Sequence, residues 1–160
     1  MSSAAMLADA IGSTEELLIR FLEGFDETNA TAQLPGLPNH AAWTLGHLAL
    51  TMHRGSEQIA EATFPLEWDP EPFAFGSSPS ARSDEYPPLP EMVERYRRAF
   101  AQLLEAVRNA GDEGLGRAVS WGSGTIAARD LAARMVFHAG AHCGQLVDLR
   151  RGLGLGPVIR

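Results

Sequence analysis

The sequence contains no lysine: all 13 of its lysine-or-arginine positions are arginine. That excludes a lysine Schiff base or a lysine nucleophile. Its one cysteine, Cys143, excludes an intrachain disulfide and fits a reducing, cytoplasmic setting. Positive charge is also scarce. With 20 acidic residues the net charge is -7, which argues against nucleic acid or an anionic membrane surface as the main partner. No apolar run approaches the roughly 20 residues a membrane span needs. The stretch Met1 to Ala10 lacks the basic start and long apolar run of a signal peptide, so none is expected.

What remains is an ordinary globular balance. Hydrophobic residues make up 45% of 160 residues and charged residues 21%, enough for a single domain, 1–160, with its own core.

Four segments carry helical periodicity. The first spans about Ala4 to Phe25, with Leu7, Ile11, Leu18, Phe21 and Phe25 on one stripe. Ser13 and Glu16 have capping-box spacing, which suggests a late start or a break at Gly12. Glu16 and Arg20 have ion-pair spacing. Asn39 is the expected N-cap of a second helix over about His40 to Ala62. The third starts near Pro90, which suits a first turn, and stops at about Asn109 before Gly111. Glu91–Arg95 and Glu94–Arg98 are well-oriented i,i+4 pairs on it. A turn at Trp121-Gly122-Ser123-Gly124 precedes a fourth helix, with Thr125 as its cap, running to about Arg151. Between the second and third helices, Thr63 to Pro90 holds seven of the ten prolines and five aromatic residues. So long a loop either covers a bundle seam or forms a substrate wall. The fold class is therefore all-α, a four-helix bundle.

The most informative stretch is His138-Ala139-Gly140-Ala141-His142-Cys143-Gly144-Gln145. Positions i and i+4 share a helix face, so two imidazoles here can reach one metal ion. At about 100° per residue, His138 and His142 fall in the same arc as Leu131, Met135, Leu146 and Leu149. Both rings point inward, where each needs a partner. A third ligand must come from a facing helix. His47 is the choice, set well inside the second helix among Trp43, Leu48 and Leu50. His40 shares its side but lies roughly 10 Å away along the axis, too far to bind the same ion. His53 lies on a different face and reads as a surface or rim residue. Three neutral imidazoles leave a coordination position open, as catalytic rather than structural sites do.

Other residues have lesser roles. Gln145 could orient a ligand or bound water, or be a buried amide bonding across helices. Gly144 is expected to permit close helix contact. Cys143 points away from the histidines. Arg54, two turns beyond His47 and close to it in azimuth, could bind an anionic substrate group or simply face solvent. Trp43 and Trp121 read as core.

Asn39-His40-Ala41-Ala42-Trp43-Thr44-Leu45-Gly46-His47-Leu48-Ala49 resembles the second-helix motif of the DinB/YfiT-like metalloenzyme family, which ends in a ligand histidine. His138 to Gln145, followed by Arg150-Arg151-Gly152, is similar to that family's HxxxHxGQ helix and arginine-rich end. Two departures stand out: the small, apolar Ala139-Gly140-Ala141 where relatives often carry acidic or polar residues, and His40 where a small polar residue is common. The resemblance implies an up-up-down-down bundle, a homodimer, and a divalent ion, zinc or nickel, on His47, His138 and His142. It also implies chemistry with low-molecular-weight thiols.

Two functional readings follow. The first is a metal-dependent enzyme, a thiol-dependent S-transferase or a hydrolase, acting on a small molecule with Arg54 and Gln145 at the substrate. The second is a non-catalytic dimeric bundle, a binding or stress-response module with a structural or vestigial metal.

Overall fold

The computed structural model describes residues 2–158; Met1, Ile159 and Arg160, the ends of the expected 1–160 domain, lie outside the described residues. Four long helices dominate: α1 (Ser3–Phe21), α2 (Ala41–Ala60), α3 (Leu89–Leu115) and α4 (Ala128–Gly152). A two-stranded hairpin, β1 (Ala118–Trp121) and β2 (Gly124–Ala127), separates α3 from α4. α2 packs on α3, α4 and the hairpin, while α1 packs on α3 and α4. No helix among the described residues is long and apolar enough to cross a membrane.

Helix α1 is unbroken through Gly12 and starts earlier than its capping-box spacing suggests. Ser2 is its N-cap, its Oγ accepting from the Ala5 amide at 3.1 Å, so Ser13 and Glu16 lie mid-helix. It ends at Phe21 rather than Phe25, because the chain turns through Gly24 at φ 82°. Glu15 rather than Glu16 is paired, with Arg97 of α3 at 3.6 Å, and Glu16–Arg20 is not among the ion pairs of the described residues. The two pairs expected on α3 do form, Glu91–Arg95 at 2.6 Å and Glu94–Arg98 at 3.4 Å.

Helix α2 is buried on nearly every side, from Ala41 through Leu50 and on to Met52, His53, Gly55, Ser56 and Ile59. A helix whose first half is mostly apolar and wholly buried belongs inside a fold. Its N-cap is His40, not Asn39. The His40 Nδ1 accepts from the Trp43 amide at 3.1 Å, while Asn39 donates across to Gln145 of α4.

The regular part of helix α3 ends before Gly111, as expected: Gly111, at φ 60° and ψ -176°, is non-helical, and a separate short helical stretch follows across that kink to Leu115. A conformation with positive φ costs glycine alone almost nothing. The expected turn at Trp121-Gly122-Ser123-Gly124 is present, but it closes a hairpin. Gly122 takes φ 60°, as a glycine-first two-residue hairpin turn requires. Val119 pairs with Ile126 and Ser120 with Thr125, and Val119 is buried. Thr125 is therefore a strand residue. α4 starts at Ala128 with no side-chain cap.

Candidate metal centre

Two elements and one loop build the site. His47 is on α2, and His138 and His142 are one turn apart on α4. His47 and His142 are buried, and His138 is half-buried. Their Nε2 atoms converge. His138 Nε2 lies 3.2 Å from His47 Nε2 and 3.0 Å from His142 Nε2. The inward turn read from the spacing and the choice of His47 over His40 and His53 both match this geometry.

The outer nitrogens explain the convergence. His47 Nδ1 sits 2.9 Å from the carbonyl oxygen of Phe73, which can only accept. His142 Nδ1 sits 2.8 Å from Gln145 Oε1. That oxygen also accepts from Asn39 Nδ2 at 3.2 Å. Both imidazoles are therefore held as the Nδ1–H tautomer, and each aims an Nε2 lone pair inward. The hydrogen bonds of the described residues give His138 Nδ1 no comparable partner.

This arrangement fits a cation. His47 and His142 each present an acceptor to His138 Nε2, which can supply a single proton at most. Without a cation one inward nitrogen lacks a donor, which is costly in a buried site. Three nitrogens at about 2.0–2.1 Å from a tetrahedral ion are about 3.3 Å apart. The 3.0 and 3.2 Å separations are close to that edge.

The electrostatics agree. Burial, with the neighbouring His47 adding, pulls the His138 pKa down to about 4. Burial, with His138 and His47 adding, pulls His142 down to about 4 as well. His47 is lowered by burial against the opposing pull of the Phe73 carbonyl. All three are neutral, and able to ligate, near pH 7.

The loop between α2 and α3 is part of the site. Its short helical turn Glu71–Phe73 places the Phe73 carbonyl on His47. The Phe73 ring is buried directly over Gly46, where a Cβ would lie 2.2 Å from it. Only glycine at 46 admits this approach. Trp43 stacks on His47 with ring centroids 4.6 Å apart and planes 8° apart, and its Nε1 donates to the Pro72 carbonyl and to Ser77 Oγ, both at 3.0 Å. Read from sequence as core alone, Trp43 is both core and a wall against a candidate ligand. Its place one turn before His47 on the same side of α2 was the available signal. The role of Phe73 left none, since it acts through its backbone.

The other expected site residues fall as follows. Gln145 holds His142 and bridges to Asn39, so it both orients a ring and bonds across helices. Arg54 is exposed on α2, and no ion pair or side-chain hydrogen bond among the described residues includes it. His40 is fully buried and apart from the cluster, with Nε2 donating to the Ser80 carbonyl at 2.8 Å. His53 is not on the surface. It is only 7% exposed, with Nε2 3.6 Å from Glu57 Oε1, because α2 is covered on that side too. Cys143 is buried away from the cluster, and burial pushes its thiol up to about 11, far from a reactive thiolate at neutral pH. A cavity of about 630 Å³ between α2 and α3, lined by Ile59, Phe64, Gln102, Ala106 and Arg117, contains none of the three histidines.

Comparison with curated proteins returned no match. The sequence model of the DinB superfamily, in contrast, matches residues 10–146, a span that holds α2 and α3 whole, the greater part of α1 and α4, and all three histidines. On that match, carried by the helices that bring the three imidazoles together, the chain belongs to the DinB superfamily.

Proposed function

We propose that this chain is a divalent-metal-dependent enzyme whose ion is held by His47, His138 and His142. It would act on a small molecule as a thiol-dependent S-transferase or a hydrolase. The observation that carries the reading is the convergence of three Nε2 atoms, two of them locked as acceptors by Phe73 and Gln145. Neutral imidazoles suit zinc and nickel, the two metals proposed. With no carboxylate among the three, the ion would keep its full double charge and favour an anion, such as the thiolate of a low-molecular-weight thiol, at the position left open.

The chain's own residues have distinct tasks in this reading. Gln145 and the Phe73 carbonyl are positioning groups: each fixes the tautomer and the turn of an imidazole, while burial keeps the ring neutral. Trp43 and the loop behind it exclude water from one side of His47. Arg54, exposed two turns along α2, is proposed to steer an anionic substrate group. The helices are proposed to run up-up-down-down within one domain, in a cytoplasmic protein.

Elemental analysis of protein purified without chelator tests the metal, and turnover of electrophiles with several low-molecular-weight thiols tests the chemistry. The expected result is near-stoichiometric zinc or nickel, lost in His138→Ala, with turnover abolished by chelation and restored by the ion. Wild-type-like metal in His138→Ala would sink the ligand assignment. Stoichiometric metal with no turnover of any thiol or hydrolysable substrate would favour a non-catalytic module.

A further inference from the structure

A smaller cavity, of about 220 Å³, lies along the seam of α2 and α3. Ala49 and His53 line it from α2, Trp68 from the loop, and Arg95, Arg98 and Gln102 from α3. At about 100° per residue, Ala49 and His53 lie about 200° and 240° around α2 from His47. The cavity is therefore on the opposite side of that helix from the three imidazoles.

Its lining holds hydrogen-bonding capacity that the chain leaves unused. Gln102 Nε2 is buried with no acceptor. A buried amide nitrogen without a partner is costly and uncommon enough to need a reason. His53 is only 7% exposed, and its Nε2 stands 3.6 Å from Glu57 Oε1, beyond hydrogen-bond reach. That oxygen already accepts from the Phe64 amide at 2.9 Å. The His53 carbonyl accepts from Ser56, but no hydrogen bond among the described residues includes a ring nitrogen of His53.

α3 adds positive charge to these donors. Arg95, Arg98 and Gln102 stand at i, i+3 and i+7 and share one stripe of the helix. The Arg95 guanidinium lies over the Trp68 ring, 5.1 Å from its centroid, and donates to Glu91 Oε1 at 2.6 Å. Arg98, one turn before Gln102, is exposed and pairs with Glu94 at 3.4 Å. The acidic residues of the lining, Glu67 and Glu91, are both exposed, where water solvates their charge. The buried part of the cavity therefore offers donors and has no carboxylate to receive them. It calls for a guest that brings acceptors, and a carboxylate suits an arginine beside an amide and an imidazole. The volume is below the roughly 300–1,000 Å³ of drug-sized sites, so the guest is small.

We propose that this cavity binds a small organic carboxylate, held by Gln102 Nε2 and the His53 ring with Arg98 at its mouth. The ring of Trp68 gives the carbon body an apolar wall. The site is separate from the metal centre, though Trp68 touches both. Its ring meets that of Phe73 edge-on at 5.7 Å, and the Phe73 carbonyl holds His47.

Calorimetric titration with benzoate and propionate tests it, with circular dichroism confirming that each variant is folded. One of the two binds saturably at one per chain, and benzamide, similar in shape but uncharged, binds at least about tenfold more weakly than benzoate. Gln102→Leu weakens carboxylate binding at least about tenfold and leaves the melting temperature unchanged or higher, because it removes an unpaired buried amide. Arg98→Gln weakens binding by a smaller factor. His138→Ala, altered at the metal centre, binds as the wild-type chain does, so this site stands or falls apart from the metal reading. No saturable binding below about 10 mM would overturn the proposal. So would equal affinity for benzamide, a preference for inorganic phosphate, or indifference to Gln102→Leu. Loss of binding in His138→Ala would place the carboxylate on the metal ion instead and overturn it as well.

Discussion

Two buried histidines seven residues apart, the N-cap His40 and His47 within α2, differ in how they use their ring nitrogens. His40 spends both ring nitrogens inside the chain: Nδ1 accepts from the Trp43 amide and Nε2 donates to the Ser80 carbonyl. His47 spends only Nδ1, on Phe73, and leaves Nε2 facing His138. Burial is similar in the two. What separates a capping residue from a candidate ligand is a lone pair that meets only the other imidazoles, where His47 and His142 compete for at most one proton of His138.

The comparison breaks most directly at His47. His47→Ala should lower metal affinity by more than about 100-fold, beyond what losing an outer-shell partner does. His40→Ala should leave the metal stoichiometry intact. Equilibrium dialysis of both variants checks the pair, and metal loss in His40→Ala would erase the distinction.

Acid comes next. His138 and His142 have pKa values near 4 when folded, against about 6.5 when unfolded. The unfolded chain therefore binds more protons between those limits, and stability falls as pH drops from about 6.5 toward about 4. The melting temperature of chelated protein should be flat above pH 7 and decline through that window. His40, also lowered by burial, adds to the decline. The decline should therefore persist in His40→Ala and weaken in His138→Ala, as scanning calorimetry over a pH series would show.

Gln145 gives a smaller effect. Gln145→Ala frees His142 to turn and should cost about 10- to 100-fold in metal affinity while leaving the fold intact. Gln145→Glu keeps an acceptor at Nδ1 and should retain most of the binding. Equal losses in the two variants would show that the acceptor is not what matters.

The smallest effect is that of His40 on stability. Removing its cap to Trp43 should cost about 1 kcal/mol, measured by urea denaturation. The loss of the Ser80 tie adds a comparable amount.

The parts of this site that could be read in advance are those written in side chains at fixed spacing. His138 and His142 are one helical turn apart, and His47 lies among apolar neighbours on a helix long enough to face them. The remainder acts through backbone or through long-range burial. Phe73 contributes a carbonyl from 26 residues away in a proline-rich loop, and carbonyls have no sequence signature. Burial of His53 depends on α2 being covered on more than one side, with Arg54 left exposed, which one-faced helical periodicity does not anticipate. The hairpin escaped because its strands are four residues long, too short for alternation to register, and because Thr125 also fits a cap. The start of α1 moved for a local reason, Ser2 outcompeting Ser13 as a cap, whereas the stop before Gly111 was legible because glycine there takes a non-helical conformation and a further helical stretch begins beyond it.

Trp43 gives the centre an optical handle. Its indole lies flat against the His47 ring, held there by two hydrogen bonds from its nitrogen. An excited indole gives up an electron readily, and an imidazole that carries a proton or binds a cation accepts one better than a neutral ring does. The emission of this one side chain should therefore dim as the neighbouring ring is loaded, so the chain signals its own occupancy without an added dye.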